Sequence, residues 1–148
     1  MFENNNMGKV FPNSIFIKNK FAFEDNRESK AIRIIDAIGF NIKKGIPIAY
    51  EYKRKKDINH IDQARTYLNG LRHDWNGKAR HKLEKEINKE LKKRGEPEWE
   101  LPDDFKVKII CIAPLFGKQT SSLSEEEKKD IILSEIKIYK KNNVDILH

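Results

Sequence analysis

Asp36, Glu51 and Lys53 are the residues whose types and spacing could do chemistry. Asp36 falls in a run of apolar residues, Ile34-Ile35-Asp36-Ala37-Ile38, where an unpaired carboxylate is costly. Glu51 and Lys53 stand two apart in Ile48-Ala49-Tyr50-Glu51-Tyr52-Lys53, so on a strand both side chains leave the same face. If the two segments pair as a hairpin, two carboxylates and an ammonium group converge. Paired carboxylates offer hard oxygen ligands to Mg²⁺, which takes one or two of them together with phosphate. The lysine could then orient a water or stabilise the charge developing on a phosphorane. The chemistry is phosphodiester hydrolysis. The competing reading of the same residues is a structural ion pair between Asp36 and Lys53.

Spacing alone does not select this site. An acid followed two residues later by Lys occurs at Glu28, Glu51, Glu90, Asp104, Glu126, Glu127 and Glu135. Glu90, Glu126 and Glu127 fall on expected helices, and Glu28 and Asp104 in turns or loops. Glu135 alone shares a strand context with Glu51, but the strand expected before it, 107–113, holds no acid to complete a metal site. His60, His73, His81 and His148 form no metal-ligand spacing, and the lone Cys111 cannot build a thiolate site or a disulfide.

The elements that must position these groups follow from periodicity. Residues 14–23 alternate Ile15, Ile17, Phe21 and Phe23 with polar neighbours and predict a strand, followed by a turn over 24–29. A second strand over 31–40 sets Ile32, Ile34, Asp36, Ile38 and Phe40 on one parity. Lys43-Lys44-Gly45 is a hairpin-type connection to a third, antiparallel strand over 46–53. Asp57 or Asn59 can cap a helix with Ile58, Ile61, Ala64, Leu68 and Leu71 inward, ending near Asn76-Gly77. A second helix over 78–94 carries a narrow stripe, Ala79, Leu83, Ile87 and Leu91, with Gly95 as its C-terminal cap. Its polar remainder includes the candidate pairs Lys82/Glu86 and Glu90/Arg94.

Trp75 and Trp99 are expected to close the ends of this helix as packing residues, and Tyr67 to belong to the core. A central strand over 107–113 follows, then a short helix over 121–129 opened by Ser124-x-x-Glu127, and a last strand over 131–139. Residues beyond Lys140 are expected to form a polar tail, and residues 1–13 a loose lead-in, leaving one domain over 14–148.

The charge is concentrated. Of a formal net +7 over 148 residues, 43–56 contribute +5 and 72–95 another +5, leaving −3 for the rest. Clustered positive charge favours polyanions, nucleic acid foremost, because neutralised phosphates release condensed counterions. The longest apolar stretch, 109–116, is eight residues and contains Pro114, too short for a membrane helix. The start of the chain lacks a signal pattern, and the expected location is cytoplasmic.

Taken together, Arg33-Ile-Ile-Asp36, the hairpin, Ile48-Ala-Tyr-Glu51-Tyr-Lys53 and the helical Gln63-Ala-Arg-Thr-Tyr67 resemble the PD-(D/E)XK restriction-endonuclease-like superfamily. The resemblance lies near NucS-like endonucleases and the N-terminal nuclease domains of type I restriction subunits. Residues 109–116 and 131–139 resemble the closing strands of that branch, whereas 78–94 looks like an elaboration. The resemblance implies an α/β fold, a mixed sheet flanked by helices, and a metal-dependent nuclease acting on DNA rather than RNA. It implies Mg²⁺ or Mn²⁺ held by Asp36, Glu51 and the Tyr52 carbonyl, with Lys53 catalytic and Gln63 beside the site.

Arg54, Lys55 and Lys56 would hold the phosphate backbone without reading sequence. A homodimer would supply two sites for the two strands of a duplex. Two departures stand out. Ile35 replaces the family's proline, with one extra residue between Arg33 and Asp36, and no opening helix precedes Ala31. Glu24 or Glu28 could substitute from a loop for the acid that helix often carries, or a partner chain could supply the helix. The alternative is a catalytically silent module of the same fold that binds nucleic acid or protein.

Overall fold

Apolar alternation in the first third of the chain builds three consecutive antiparallel strands, β1 (Ser14–Asp25), β2 (Ala31–Asn41) and β3 (Ile46–Tyr52). The structure, a computed structural model, describes residues 13–27, 31–53, 60–113, 123–135, 138–141 and 144–147. Two helices follow, α1 (His60–Arg72) and α2 (Lys78–Lys93), and then β4 (Lys108–Ala113) and β5 (Ile131–Glu135). The sheet order is β1-β2-β3-β4-β5, antiparallel from β1 to β3 and parallel from β3 to β5. This is the expected α/β arrangement, a mixed sheet with helices packed on it. Among the described residues no helix is long and apolar enough to cross a membrane.

The main core lies between the sheet and both helices. Ile61, Ala64, Leu68 and Leu71 of α1 and Ala79, Leu83, Ile87 and Leu91 of α2 meet Phe21, Phe23, Ile38, Phe40, Ala49 and Ile109 there. The opposite sheet face gathers a smaller cluster of Ala37, Ile48, Tyr50, Ile110 and Ile112. Strands β3 and β4 therefore bury both faces, as their continuous apolar runs require. Gly70 lets α1 approach β1 closely, because a Cβ there would stand 2.9 Å from Phe23 Cε2.

The helices end by different devices. After α2, Gly95 adopts φ +70°, its N–H reaches the Lys92 carbonyl at 3.2 Å, and the Glu96 N–H reaches the Leu91 carbonyl at 2.9 Å. This is a Schellman closure with glycine where the left-handed conformation demands it. Helix α1 stops at Arg72, before the expected Asn76-Gly77, because Asp74 turns to the next helix and accepts the Arg80 N–H at 2.9 Å. Its proposed caps Asp57 and Asn59, and Ile58, lie outside the described residues.

Four further expectations are corrected. Ile32 and Ile34 are 58% and 52% exposed, although they share sequence parity with buried Ile38 and Phe40. Ile35, of opposite parity, joins the helix-side core with Ile38, so β2 changes its buried face around Asp36. The neighbouring strand is irregular at the same level, where Lys20 takes φ +56° between the pairs Asn19/Ala37 and Phe21/Ile35. Trp75 is 74% exposed in the turn between the helices, whereas Trp99 packs edge-on to Phe40 at 5.3 Å and donates from Nε1 to the Gly45 carbonyl.

The expected helix over 121–129 is a 3₁₀ turn at Glu127–Lys129 in its described part. Its capping box does form, with Ser124 N–H to Glu127 Oε1 at 2.9 Å and Glu127 N–H to Ser124 Oγ at 3.1 Å. Finally, the single strand expected over 131–139 is divided into β5 and β6 (Ile138–Lys141). Strand β6 pairs antiparallel with β7 (Val144–Leu147), where a polar tail was expected. The ladder runs from Ile138 opposite Leu147 to Lys141 opposite Val144.

Candidate functional site

The ladder between β2 and β3 ends at Ala37 opposite Tyr50, which brings Asp36 and Glu51 together at the next position. There the side chains take over from the backbone. The Asp36 N–H donates to Glu51 Oε1 at 3.0 Å, and the Tyr52 N–H donates to Asp36 Oδ2 at 2.9 Å. The sequence expectation that these two acids converge is met. Lys53 continues β3 by donating its N–H to the Ile112 carbonyl at 2.9 Å, and its positive charge acts on Glu51.

Glu51 is 2% exposed. Burial, reinforced by the negative charge of Asp36, pushes its carboxyl up to about 7, against the opposing pull of the Asp36 N–H, Lys53 and Lys20. Cys111 stands opposite Glu51 in the parallel ladder, and its thiol is pushed up to about 12 by burial and then by Glu51. Tyr67 is likewise raised to about 12, by burial and then by Glu51 and Asp36. It packs against the core as expected and lies within electrostatic reach of both carboxylates.

Lys20 was not foreseen. Its Nζ lies 3.5 Å from Asp36 Oδ1, giving Asp36 a cation from β1. The signal available in the sequence was the polar triplet Lys18-Asn19-Lys20, which interrupts the alternation of β1. Asp25 was also missed. It is 0% exposed, accepts from Arg27 Nε at 3.0 Å and Nη2 at 2.8 Å and from Arg33 Nε at 3.2 Å, and is held down to about 2 chiefly by Arg27. Arg33, part of the quoted motif, is thereby anchored at the end of β1.

Tyr67, on which both carboxylates act, also lines a cleft of about 410 Å³ between β2 and α1, together with Ile32, Arg33, Ile34, Asp62, Gln63 and Thr66. Gln63 opens into this cleft, and its buried Oε1 has no hydrogen-bond partner among the described residues. Arg65 on the same helix binds Glu127 at 2.7 Å, and Arg72 pairs with Asp130, which ties the middle and the C-terminal end of α1 to the segment before β5. Arg54, Lys55 and Lys56 lie outside the described residues.

Among the described residues no group of three or more His, Cys, Asp or Glu side chains gathers as a metal site. Two carboxylates, buried Glu51 and part-exposed Asp36, do converge, and their mutual repulsion is an excess of negative charge that a divalent cation would relieve. Hard oxygen donors of this number fit Mg²⁺ or Mn²⁺, which complete their coordination with water and phosphate.

No family model matches the chain, and no curated protein does. Among solved structures, the chain is similar to one in the EndoMS-dsDNA2 complex, with TM-score 0.46 and 17% identity over 89% of this chain and 41% of that one. It is also similar to a repair endonuclease from Pyrococcus abyssi, with TM-score 0.42 and 16% identity over 81% of this chain and 39% of that one. The chain thus spans about two-fifths of the length of both.

Proposed function

We propose that this protein is a metal-dependent nuclease that hydrolyses phosphodiester bonds in DNA through Asp36, Glu51 and Lys53. The observation that carries the reading is the buried Glu51 carboxylate beside Asp36, held at the point where two strands stop pairing and within electrostatic reach of Tyr67, which lines an open cleft. Asp36, Glu51 and the Tyr52 carbonyl would hold Mg²⁺ or Mn²⁺, which when bound supplies Lewis-acid stabilisation of phosphate charge.

The chain's own residues do the rest. The cross-strand bonds from the Asp36 and Tyr52 N–H groups fix the two carboxylates, so little reorganisation is needed when a phosphate arrives. Lys53 places an ammonium group where negative charge develops, and Gln63 offers an amide to the phosphate or to Lys53. Arg54, Lys55 and Lys56 hold the flanking backbone. Two copies of the chain would serve the two strands of a duplex.

A second reading, a silent module that binds without cutting, draws on one observation. Each carboxylate already accepts a backbone N–H, and no third acid joins them among the described residues. Calorimetric titration of Mn²⁺ into wild type and Glu51→Ala, followed by incubation with DNA and RNA, separates the two. Metal binding lost in the variant, with cleavage by wild type alone, establishes the nuclease. Salt-dependent DNA retention with neither metal binding nor cleavage establishes the module.

A further inference from the structure

Helix α2 divides its charges by sign. Its three acids point to neighbours. Glu84 accepts the Leu101 N–H at 2.7 Å and lies 4.0 Å from His81, Glu86 pairs with Lys18 at 3.6 Å, and Glu90 pairs with Arg94 at 3.0 Å. Lys82, expected to pair with Glu86, instead donates to the Ala22 carbonyl and lies over the Phe21 ring. What remains on the outside is Lys93 at the helix end and the row Lys78, Lys85, Lys89 and Lys92, all exposed and without an ion pair among the described residues.

At ~100° per residue these four lysines fall within about 60° of one another and roughly opposite the buried stripe, along roughly 21 Å of helix. The lower end of the ridge leads toward the candidate site. Lys78 and Lys82 line a depression of about 270 Å³ whose wall includes Ile32. Ile32 also lines the cleft holding Gln63 and Tyr67.

We infer that the outer face of α2 is a docking surface for the phosphate backbone of DNA, continuous through Lys78, Lys82 and exposed Ile32 with the cleft that Tyr67 lines within reach of Asp36 and Glu51. The inference rests on nucleic acid being the substrate, and extends that reading to a helix that contributes nothing to the carboxylate pair. Charge complementarity specifies the occupant. Duplex DNA presents one charge per ~1.7 Å of axis, so a ridge of this length meets several phosphates, and a surface without hydrogen-bonding shape for bases binds without reading sequence.

The test measures binding of a short fluorescein-labelled duplex, in chelator, over a salt series. The triple substitution Lys85→Gln, Lys89→Gln and Lys92→Gln should flatten the log affinity against log salt slope by about 2.7, at ~0.9 per phosphate contact, and cost at least about tenfold in affinity. Replacing the same three lysines by arginine should preserve both. Glutamine and arginine are good helix formers, so far-UV circular dichroism should be unchanged. If the triple variant does not fold, single Lys85→Gln and Lys92→Gln variants, each flattening the slope by about 0.9, carry the test.

Unchanged slope and affinity overturn the inference, as does wild-type protein that binds polyglutamate but no DNA. The two readings fail separately. Wild type that cuts DNA while the glutamine variant binds it normally removes the ridge and keeps the nuclease. Wild type that binds through the ridge and cuts nothing removes the nuclease and keeps the ridge.

Discussion

Asp36 and Glu51 meet at the first position where β2 and β3 no longer exchange backbone bonds, one step beyond the Ala37/Tyr50 pair. Each carboxylate accepts a main-chain N–H from across the gap, at 3.0 Å from Asp36 and 2.9 Å from Tyr52. The pair is therefore held by the sheet while remaining electrostatically unhappy, which sets up the first expectation.

With Glu51 raised to about 7 from an ordinary 4.5, the folded protein binds its proton more tightly than the unfolded chain. Stability from this group is fully present below about pH 4.5 and is lost as pH rises through 7, by on the order of 3 kcal/mol. Thermal melts in chelator should show that decline, Glu51→Gln should flatten it, and Mn²⁺ should oppose it in wild type. A wild-type profile as flat as the variant's would contradict the assignment.

Asp25 behaves in the opposite sense. Its carboxyl is held at about 2, so its contribution is present above pH 4 and disappears as pH falls toward 2, amounting to about 2 kcal/mol. Urea unfolding at descending pH should show an acid limb that Asp25→Asn shortens. Because the substitution removes the carboxylate that Arg27 and Arg33 both bind, it should also lower stability at neutral pH by about 1–3 kcal/mol.

Gly70→Ala is expected to destabilise, although alanine is the better helix former by about 1 kcal/mol. The new Cβ would meet Phe23 Cε2 at 2.9 Å and Asp25 Oδ2 at 3.3 Å, and Phe23 is locked in the core. Overpacking of this kind costs about 1–3 kcal/mol. A denaturation midpoint above wild type would show that α1 can retreat from β1 at no cost, and Phe23→Leu in the same chain should recover part of the loss.

Lys53→Gln should leave Mn²⁺ binding intact and reduce DNA cleavage at least about a hundredfold, the scale for removing one charge-stabilising donor. Calorimetry and a cleavage assay on the same preparation check both halves. Equal loss of metal binding would move Lys53 from chemistry to support of the carboxylates.

Much of this arrangement is legible in the amino-acid order because β3 and α2 obey simple periods. The stripe Ala79, Leu83, Ile87, Leu91 is buried as its spacing requires, and Glu51 follows Tyr50 into the interior at the end of an uninterrupted apolar run. The exposure of Ile32 and Ile34 was not legible. A run of isoleucines looks alike on either parity, and the change of buried face at Asp36 accompanies a positive φ at Lys20 on another strand, which no local pattern in β2 records.

Asp25 was hidden for a similar reason. Arg27 is a local partner two residues on, but Arg33 comes from β2, so the full cluster exists only once β1 and β2 pair. Trp75 misled because aromatic character suggests burial, whereas the Asp74 and Asn76 side chains spend that turn on capping N–H groups of α2. The hairpin of β6 and β7 was obscured by the apolar continuity of residues 131–139, which reads as one strand but serves two sheets.

Cys111, paired with Glu51 across the parallel ladder and fully enclosed, gives the molecule a built-in gauge. As the chain's single thiol, held protonated in the closed state, it becomes reactive toward an alkylating reagent only when the packing around this stretch of β4 opens. Its labelling rate therefore counts openings at the carboxylate pair itself, with no probe to attach and no substrate to choose.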